Sequence, residues 1–412
     1  MNIVEVNYTD LSGRIFNGYD LHLSLNKMEG VSAVQYVAEK ESGTPTVKAF
    51  RDDAVIREEY LELERSFSIG QLLSPYGVQL LKEEAFLDAD IIHLHIIHNN
   101  CISLLDLPEL LKRDNVVWTI HDPWIVTGNC VYPLECGRWK MGCGYCPRLN
   151  EAGRRLRVDT TSQLWNLKKS IFTQINPHII TASGFTEKYL AESPLTAHWN
   201  RLTRIPFGIK KRFLEPFCQS EYKRRFGLAP DCLVIGFRLT DYEIKGCRYI
   251  FEALEQLNAA RPIALLTTGD SKVLPDSLRE KYQCVTLPWL QEDDLIEFYR
   301  ALDIFLMTSL AETFGLMAAE SMACETALIC FQSTVLEEIT HAPDIGIAAA
   351  YRSTEAIAEA LTRLVEKPEE LADRKRRGKR FVAETYNYDR YVQQHLQLFR
   401  EIAAHREGMY TK

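Results

Sequence analysis

Ten short apolar runs, nearly all followed by a stretch of helical character, constrain this chain more than any other feature. In the first half they are Ile3–Val6, Ala33–Val37, Ile91–His95, Val116–Ile120 and Ile179–Ala182. In the second they are Leu233–Phe237, Ile263–Thr267, Val285–Leu287, Ile304–Met307 and Ala327–Cys330. Apolar runs alternating with helical segments are the pattern of an α/β chain, with parallel strands buried beneath crossover helices. Two such sets predict two Rossmann-like domains, in keeping with 412 residues, too many for a single core. The joint is expected near Ile205-Pro-Phe-Gly-Ile209, where Pro and Gly punctuate an extended segment. Residues 356–365 and 388–402 read as helix. The charge-rich piece from Glu39 to Glu64 is the least legible, either a surface excursion or a helix.

Composition enters mainly by exclusion. Apolar content of 46% and charged content of 25% are those of a soluble globular protein, and a net charge of −8 argues against a nucleic-acid partner. Met1 to Asp10 reads as a strand without a basic n-region, and no apolar run approaches membrane-spanning length. Most of the 11 cysteines, Cys232, Cys284 and Cys330 among them, sit singly in apolar segments, as buried thiols of a reducing cytoplasm do. A cytoplasmic location is the expectation.

One run of the second set ends in a segment dense in chemistry. Ile304–Met307 closes on Thr308 and Ser309, and Gly315 opens a helical segment from Leu316 to Met322. A helix N-terminus at the carboxyl end of a parallel strand is a ready anion site. Glu312 lies just before it, and Glu320 lies one to two turns inside, roughly 7–8 Å along the axis at 1.5 Å per residue. Such spacing suits a ligand with phosphate in its middle and hydroxyls at both ends, as in a nucleoside diphosphate sugar.

Glu312-Thr-Phe-Gly-Leu-Met-Ala-Ala-Glu320, continued by Ser321-Met-Ala323 and the strand Ala327–Cys330, resembles the E-x7-E signature of retaining glycosyltransferases of the group 1 type, family 4. The sequence departs where that family has A-x-G-x-P. Glu325 and Ala327 replace the Gly and Pro, so the turn into the next strand must be built differently.

Arg238 and Lys245, in Gly236-Phe-Arg-Leu-Thr-Asp-Tyr-Glu-Ile-Lys-Gly246, follow the first strand of the second set. Arg offers a planar fork and Lys a compact charge, and a departing diphosphate needs both. The alternative is two surface cations beside Asp241 and Glu243. The resembled enzymes carry an Arg and a Lys-Gly at these places. His121, in Thr119-Ile-His-Asp122, closes a first-half strand and can bond a sugar hydroxyl or manage a proton, unless Asp122 merely fixes it in a turn. The resemblance implies contact with the transferred sugar. Where the family often has a Gly-Gly pair after its first strand, only Gly13 is well placed, with Ser12 before it and Gly18 read inside the following helix. His93, His95 and His98 lack a carboxylate to complete a metal set, and read as packing and cleft lining.

Cys130, Cys136, Cys143 and Cys146 crowd into seventeen residues as C-x5-C-x6-C-x2-C. Four thiolates can close a structural zinc site; a redox-labile disulfide or free thiols are the other readings. A subset of the resembled family carries this run after W-T-x-H-D, where it would shape the acceptor side. Arg148, Arg154, Arg155, Arg157, Lys168 and Lys169 form one basic cluster, and Arg374–Arg377 with Lys379 and Arg380 another. They read as solvated helix faces or as attraction to anionic lipid or a lipid-diphosphate acceptor.

Taken whole, the resemblance implies an α/β chain of GT-B fold, two Rossmann-like domains with parallel sheets facing across a cleft. Residues 1–205 would form the acceptor-side domain with the cysteines at 130–146, residues 206–385 the nucleotide-sugar domain, and residues 386–412 a helix returning to the first domain. It implies a hexosyltransferase-like enzyme with metal-independent catalysis and no catalytic cofactor. The sugar would pass with retention from a nucleoside diphosphate sugar to a hydroxyl of a glycan or lipid-linked acceptor, in cell-surface polysaccharide synthesis and in peripheral contact with the inner membrane face. His121, Glu312, Arg238 and Lys245 would be catalytic. Gly13, Arg238, Lys245, Glu312, Thr313, Phe314, Gly315, Leu316 and Glu320 would hold the donor. The alternatives are a GT-B nucleotide-sugar epimerase and a non-catalytic nucleotide-binding protein.

Overall fold

A computed structural model describes residues 1–11, 18–51, 54–150 and 156–410. The chain divides into two compact units, Met1–Pro206 with Tyr391–Lys412, and Phe207–Arg390. The first unit holds β1 (Asn2–Thr9), β2 (Ser32–Glu39), β3 (Val47–Ala49), β4 (Ile91–Leu94), β5 (Val116–Ile120), β6 (His178–Thr181) and β7 (Leu202–Arg204). They form one parallel sheet in the order β3-β2-β1-β4-β5-β6-β7. Ile3, Val4, Val6, Ile91, Ile92, Leu94, Val116 and Val117 are all buried, which is why these strands read as unbroken apolar runs. Each such side chain contributes roughly 1.5–3 kcal/mol of transfer free energy.

The second unit holds β8 (Leu233–Leu239), β9 (Ile263–Gly269), β10 (Gln283–Leu287), β11 (Ile304–Met307), β12 (Ala327–Phe331) and β13 (Ile347–Ala349). These are likewise parallel, in the order β10-β9-β8-β11-β12-β13. Each sheet reverses direction between its first and fourth strands. That switch point, at the carboxyl ends, is where open α/β sheets receive ligands.

All ten apolar runs are strands. The three that the sequence did not announce, β3, β7 and β13, are three residues long and lie at sheet edges. The opaque piece from Glu39 to Glu64 holds β3 and most of the helix Ala54–Phe67. Gly18 is not inside the following helix; it is the left-handed residue just before Tyr19–Leu25. At the departure from A-x-G-x-P, Glu325 itself takes the left-handed conformation with φ 55, at a cost of about 1–2 kcal/mol. Its carboxylate lies 2.8 Å from Lys379 Nζ.

Several basic residues read as surface charge serve the interior instead. Arg374 donates to the carbonyls of Pro343, Ile345 and Gly346, and Lys375 pairs with Asp303 at 3.1 Å. Lys168 is buried, donating to the carbonyls of Trp124 and Thr127 with its ammonium 3.4 Å from the Trp124 ring centre. Arg154 and Arg155 lie outside the described residues, as do Ser12 and Gly13. Among the described residues no helix is long and apolar enough to cross a membrane. The helix Tyr388–Tyr410 gives the first unit Val392, His395, Leu396, Phe399 and Ile402, a buried stripe at helical spacing.

Candidate functional site

The second switch point lies between β8 and β11, and both strands run straight into the residues singled out above. Arg238 is the penultimate residue of β8, its guanidinium carbon 4.3 Å from the ring centre of the half-exposed Trp289. Beyond β8 the chain makes a short 3-10 turn, Glu243–Lys245, closed by Gly246 at φ 67. A side chain on Gly246 would collide with the Thr308 carbonyl oxygen, so only glycine lets this turn lie against the end of β11. The Thr308 hydroxyl donates to the Gly246 carbonyl, and the Leu310 amide to that of Ile244. These bonds join the two loops and set Lys245 Nζ 2.6 Å from Glu312 Oε1.

Gly315 precedes the helix Leu316–Ala323 with φ 88, where a side chain would meet Leu336. The first amides of that helix have no acceptor within it and point along the positive end of its dipole. Phe314 is buried between Phe207 and Tyr386, at ring separations of 5.4 and 5.2 Å. Its side chain therefore anchors the loop. Thr313 is also buried, and Leu316 is half-buried.

Glu320 is buried, with Oε2 accepting from the Tyr299 hydroxyl at 3.1 Å. Burial pushes its carboxyl up to about 7, against the pull of that bond. A carboxylate kept this dry gains from a hydroxylated ligand that donates to it. Trp289 was absent from the expected set. Its signal was Pro288-Trp-Leu290, a large aromatic following the apolar run of β10 at its carboxyl end.

In the first unit, His121 stands just beyond β5, with Nε2 3.3 Å from His95 Nδ1. Burial pulls its imidazole down to about 3 despite the charge of Asp122, so it is neutral at ordinary pH. Asp122 instead pairs with His98 Nε2 at 2.9 Å and accepts from the Trp124 amide. His93 and His95 were expected to lack a carboxylate, and that is corrected: Glu5 of β1 lies among them, fully buried. Burial alone would raise the Glu5 carboxyl, but the hydrogen bond from His22 and the nearby imidazole of His95 hold it below its ordinary value. Burial also keeps both His93 and His95 well below the usual histidine range. Nearby, a polar cavity of about 360 Å³ opens beside His98, Asn99, Asn100, Asn129, Gln71 and Tyr8.

The four cysteines line one small cavity with Gly128 and Thr161. The Gly128 amide donates to Cys143 Sγ and the Arg148 amide to Cys146 Sγ, while Cys143, Gly144 and Tyr145 all have positive φ. Burial pushes the Cys143 thiol up to about 11 and raises that of Cys146. The amide–sulfur bonds and the tight turn fit thiolate ligation. Among the described residues, though, the side chains whose ligand atoms converge within 4.8 Å are Glu5, His93 and His95, and no three cysteines do so.

Residues 229–367, which span β8 to β13, match the family described as Glycosyl transferases group 1. A putative colanic acid biosynthesis glycosyl transferase of Escherichia coli K12, WcaC, is 34% identical over 114 residues, 24% of this chain. That match spans only 28% of the relative's length. Among solved structures, a sucrose-phosphate synthase from Thermosynechococcus elongatus superposes with a TM-score of 0.69 at 16% identity, covering 98% of this chain and all of its own. Anabaena HepE, solved with UDP and glucose, gives 0.65 at 14% identity, with 97% and 100% covered. At such identities the superpositions show a shared fold.

Proposed function

From a chain of GT-B fold whose second unit belongs to the group 1 glycosyltransferases, we propose a retaining glycosyltransferase that uses a nucleoside diphosphate sugar. The observation that carries this is the Lys245–Glu312 pair at the β8/β11 switch point, beside Arg238 and the Gly315-led helix. The diphosphate takes Lys245 and the helix amides as partners and draws Lys245 away from Glu312. Glu312, so released, accepts from hydroxyls of the transferred sugar, and buried Glu320 accepts from the ribose. Arg238, steadied over Trp289, and Lys245 carry the charge that grows on the diphosphate as the glycosidic bond breaks. HepE, a structure of the same fold, was solved with UDP and glucose, which makes a uridine nucleotide the first donor to try.

The acceptor is a hydroxyl of a glycan or lipid-linked glycan used in cell-surface polysaccharide synthesis, a reading supported by similarity to WcaC, a putative colanic acid biosynthesis glycosyl transferase. The amide-lined cavity beside His98 has the polarity for such a ligand, and neutral His121 bonds the transferred sugar. The four cysteines hold a structural zinc that shapes that side of the unit.

The test is calorimetric titration with a panel of nucleoside diphosphates and their sugars, followed by product analysis of the anomeric configuration with a polyprenyl-diphosphate glycan acceptor. Binding of one nucleoside diphosphate series and an unchanged anomer are expected. The absence of heat with every nucleotide would sink the donor site, and an inverted product would sink retention.

A further inference from the structure

We propose that Glu5, His93 and His95 form a buried divalent-metal site in the first unit, a two-histidine, one-carboxylate set suited to zinc. Register places it: Glu5 on β1 is the direct partner of His93 on β4, and His95, two residues on, lies on the same face. Glu5 Oε1 is 4.0 Å from His93 Nδ1 and 3.8 Å from His95 Nε2, and all three atoms lie within 4.8 Å of one another. Their side chains are at most 1% exposed, and none of the three atoms has a hydrogen-bond partner.

The other polar atom of each side chain is engaged. Glu5 Oε2 is 2.7 Å from His22 Nδ1, His93 Nε2 is 2.7 Å from the Thr119 hydroxyl, and His95 Nδ1 is 3.3 Å from His121 Nε2. Each residue thus keeps one atom for a common point and spends the other on a partner that fixes its orientation. Metal ligands are built this way. Direct hydrogen bonds between the facing atoms would need about 2.7–3.2 Å. Ligands about 2.0–2.2 Å from one tetrahedral ion lie roughly 3.4 Å apart, so each imidazole needs to draw in towards Glu5 by about half an ångström. Without a cation, a buried carboxylate oxygen faces two imidazole nitrogens with no bond, which costs free energy.

His395 and Phe399 of the last helix cover the site, with ring centres 5.7 and 5.2 Å from that of His93. The ion therefore belongs to the fold rather than to turnover, and it loads as the unit folds.

Full-length protein purified without chelator, wild type and Cys143→Ser/Cys146→Ser, decides the matter by elemental analysis. Two equivalents of zinc are expected in the wild type and one in the cysteine variant, and Glu5→Gln/His93→Ala added to that variant removes the last. Thr119→Val, which removes a partner and no ligand, should weaken zinc by about 10–100-fold in chelator competition. Should the ligand variants fail to fold, cobalt substitution of the cysteine variant still decides. Visible d–d bands without thiolate charge transfer support the site; their absence overturns it. Zinc that disappears with the cysteines also overturns it. So does metal-free protein that zinc does not stabilise against heat, since a bridging water then accounts for the geometry.

Discussion

At the switch point of the second unit, opposite charges meet at a half-open surface: Lys245 against Glu312, with Arg238 over an exposed indole. At that of the first unit, the same strand order gathers a sealed cluster of neutral imidazoles around one carboxylate. Topology delivers a position at the carboxyl ends of the strands, while the polarity of the few residues there selects the ligand. Charged groups able to exchange partners suit a large anion that must come and go. Buried neutral donors and acceptors suit something held permanently, or a hydroxyl met briefly.

The largest expected effect separates the two regions. Lys245→Ala should weaken nucleoside diphosphate binding by two to three orders of magnitude, roughly 3–4 kcal/mol, while His121→Ala leaves that affinity unchanged in the same calorimetric titration. Equal losses from both would erase the division of labour. Next comes Glu320. Its folded carboxyl titrates near 7 against an ordinary 4.5, so the native state holds a proton that the unfolded chain has released. Stability must therefore fall as pH rises through that window and stay lowered above it. Glu320→Gln should be more stable than wild type at pH 8 by roughly 2–3 kcal/mol in denaturant titration, though poorer at binding donor. Trp289→Ala should cost about 0.5–1 kcal/mol of nucleotide affinity through Arg238. The smallest effect is a null one: His121 stays neutral down to about pH 3, so the rate profile should carry no limb from it near pH 6.5. A limb that disappears in His121→Ala would place this residue in a wetter setting.

Legibility followed physical rules that can be named. Strands buried on both faces write themselves as Ile/Val/Leu runs, and the half-buried edge strand β10 was readable too through Val285 and Leu287; Val47–Ala49, at an edge and with its Lys exposed, writes nothing of the kind. Lys245 and Glu312 were readable singly because each follows a legible strand end, yet their direct pairing is a tertiary fact. Glu5 was hidden by its own strand, one carboxylate in Ile3–Val6 and 88 residues from His93. Lys168 and Arg374 show the opposite error: long cations look like surface in a sequence, but carbonyl oxygens can satisfy them inside.

The pairing of β8 with β11 also carries a consequence for how the protein comes into being. Their register partners Ile235 and Ile304 are 69 residues apart, with β9 and β10 formed in between. Arg238 and Lys245 therefore emerge from synthesis well before the strand that brings Glu312 and Glu320 to them. Closing so long a loop is an entropic cost met late, when the central strand finally inserts. Nucleotide bound across these loops would add its free energy to that last step alone, so the substrate doubles as a clamp on a nearly finished domain.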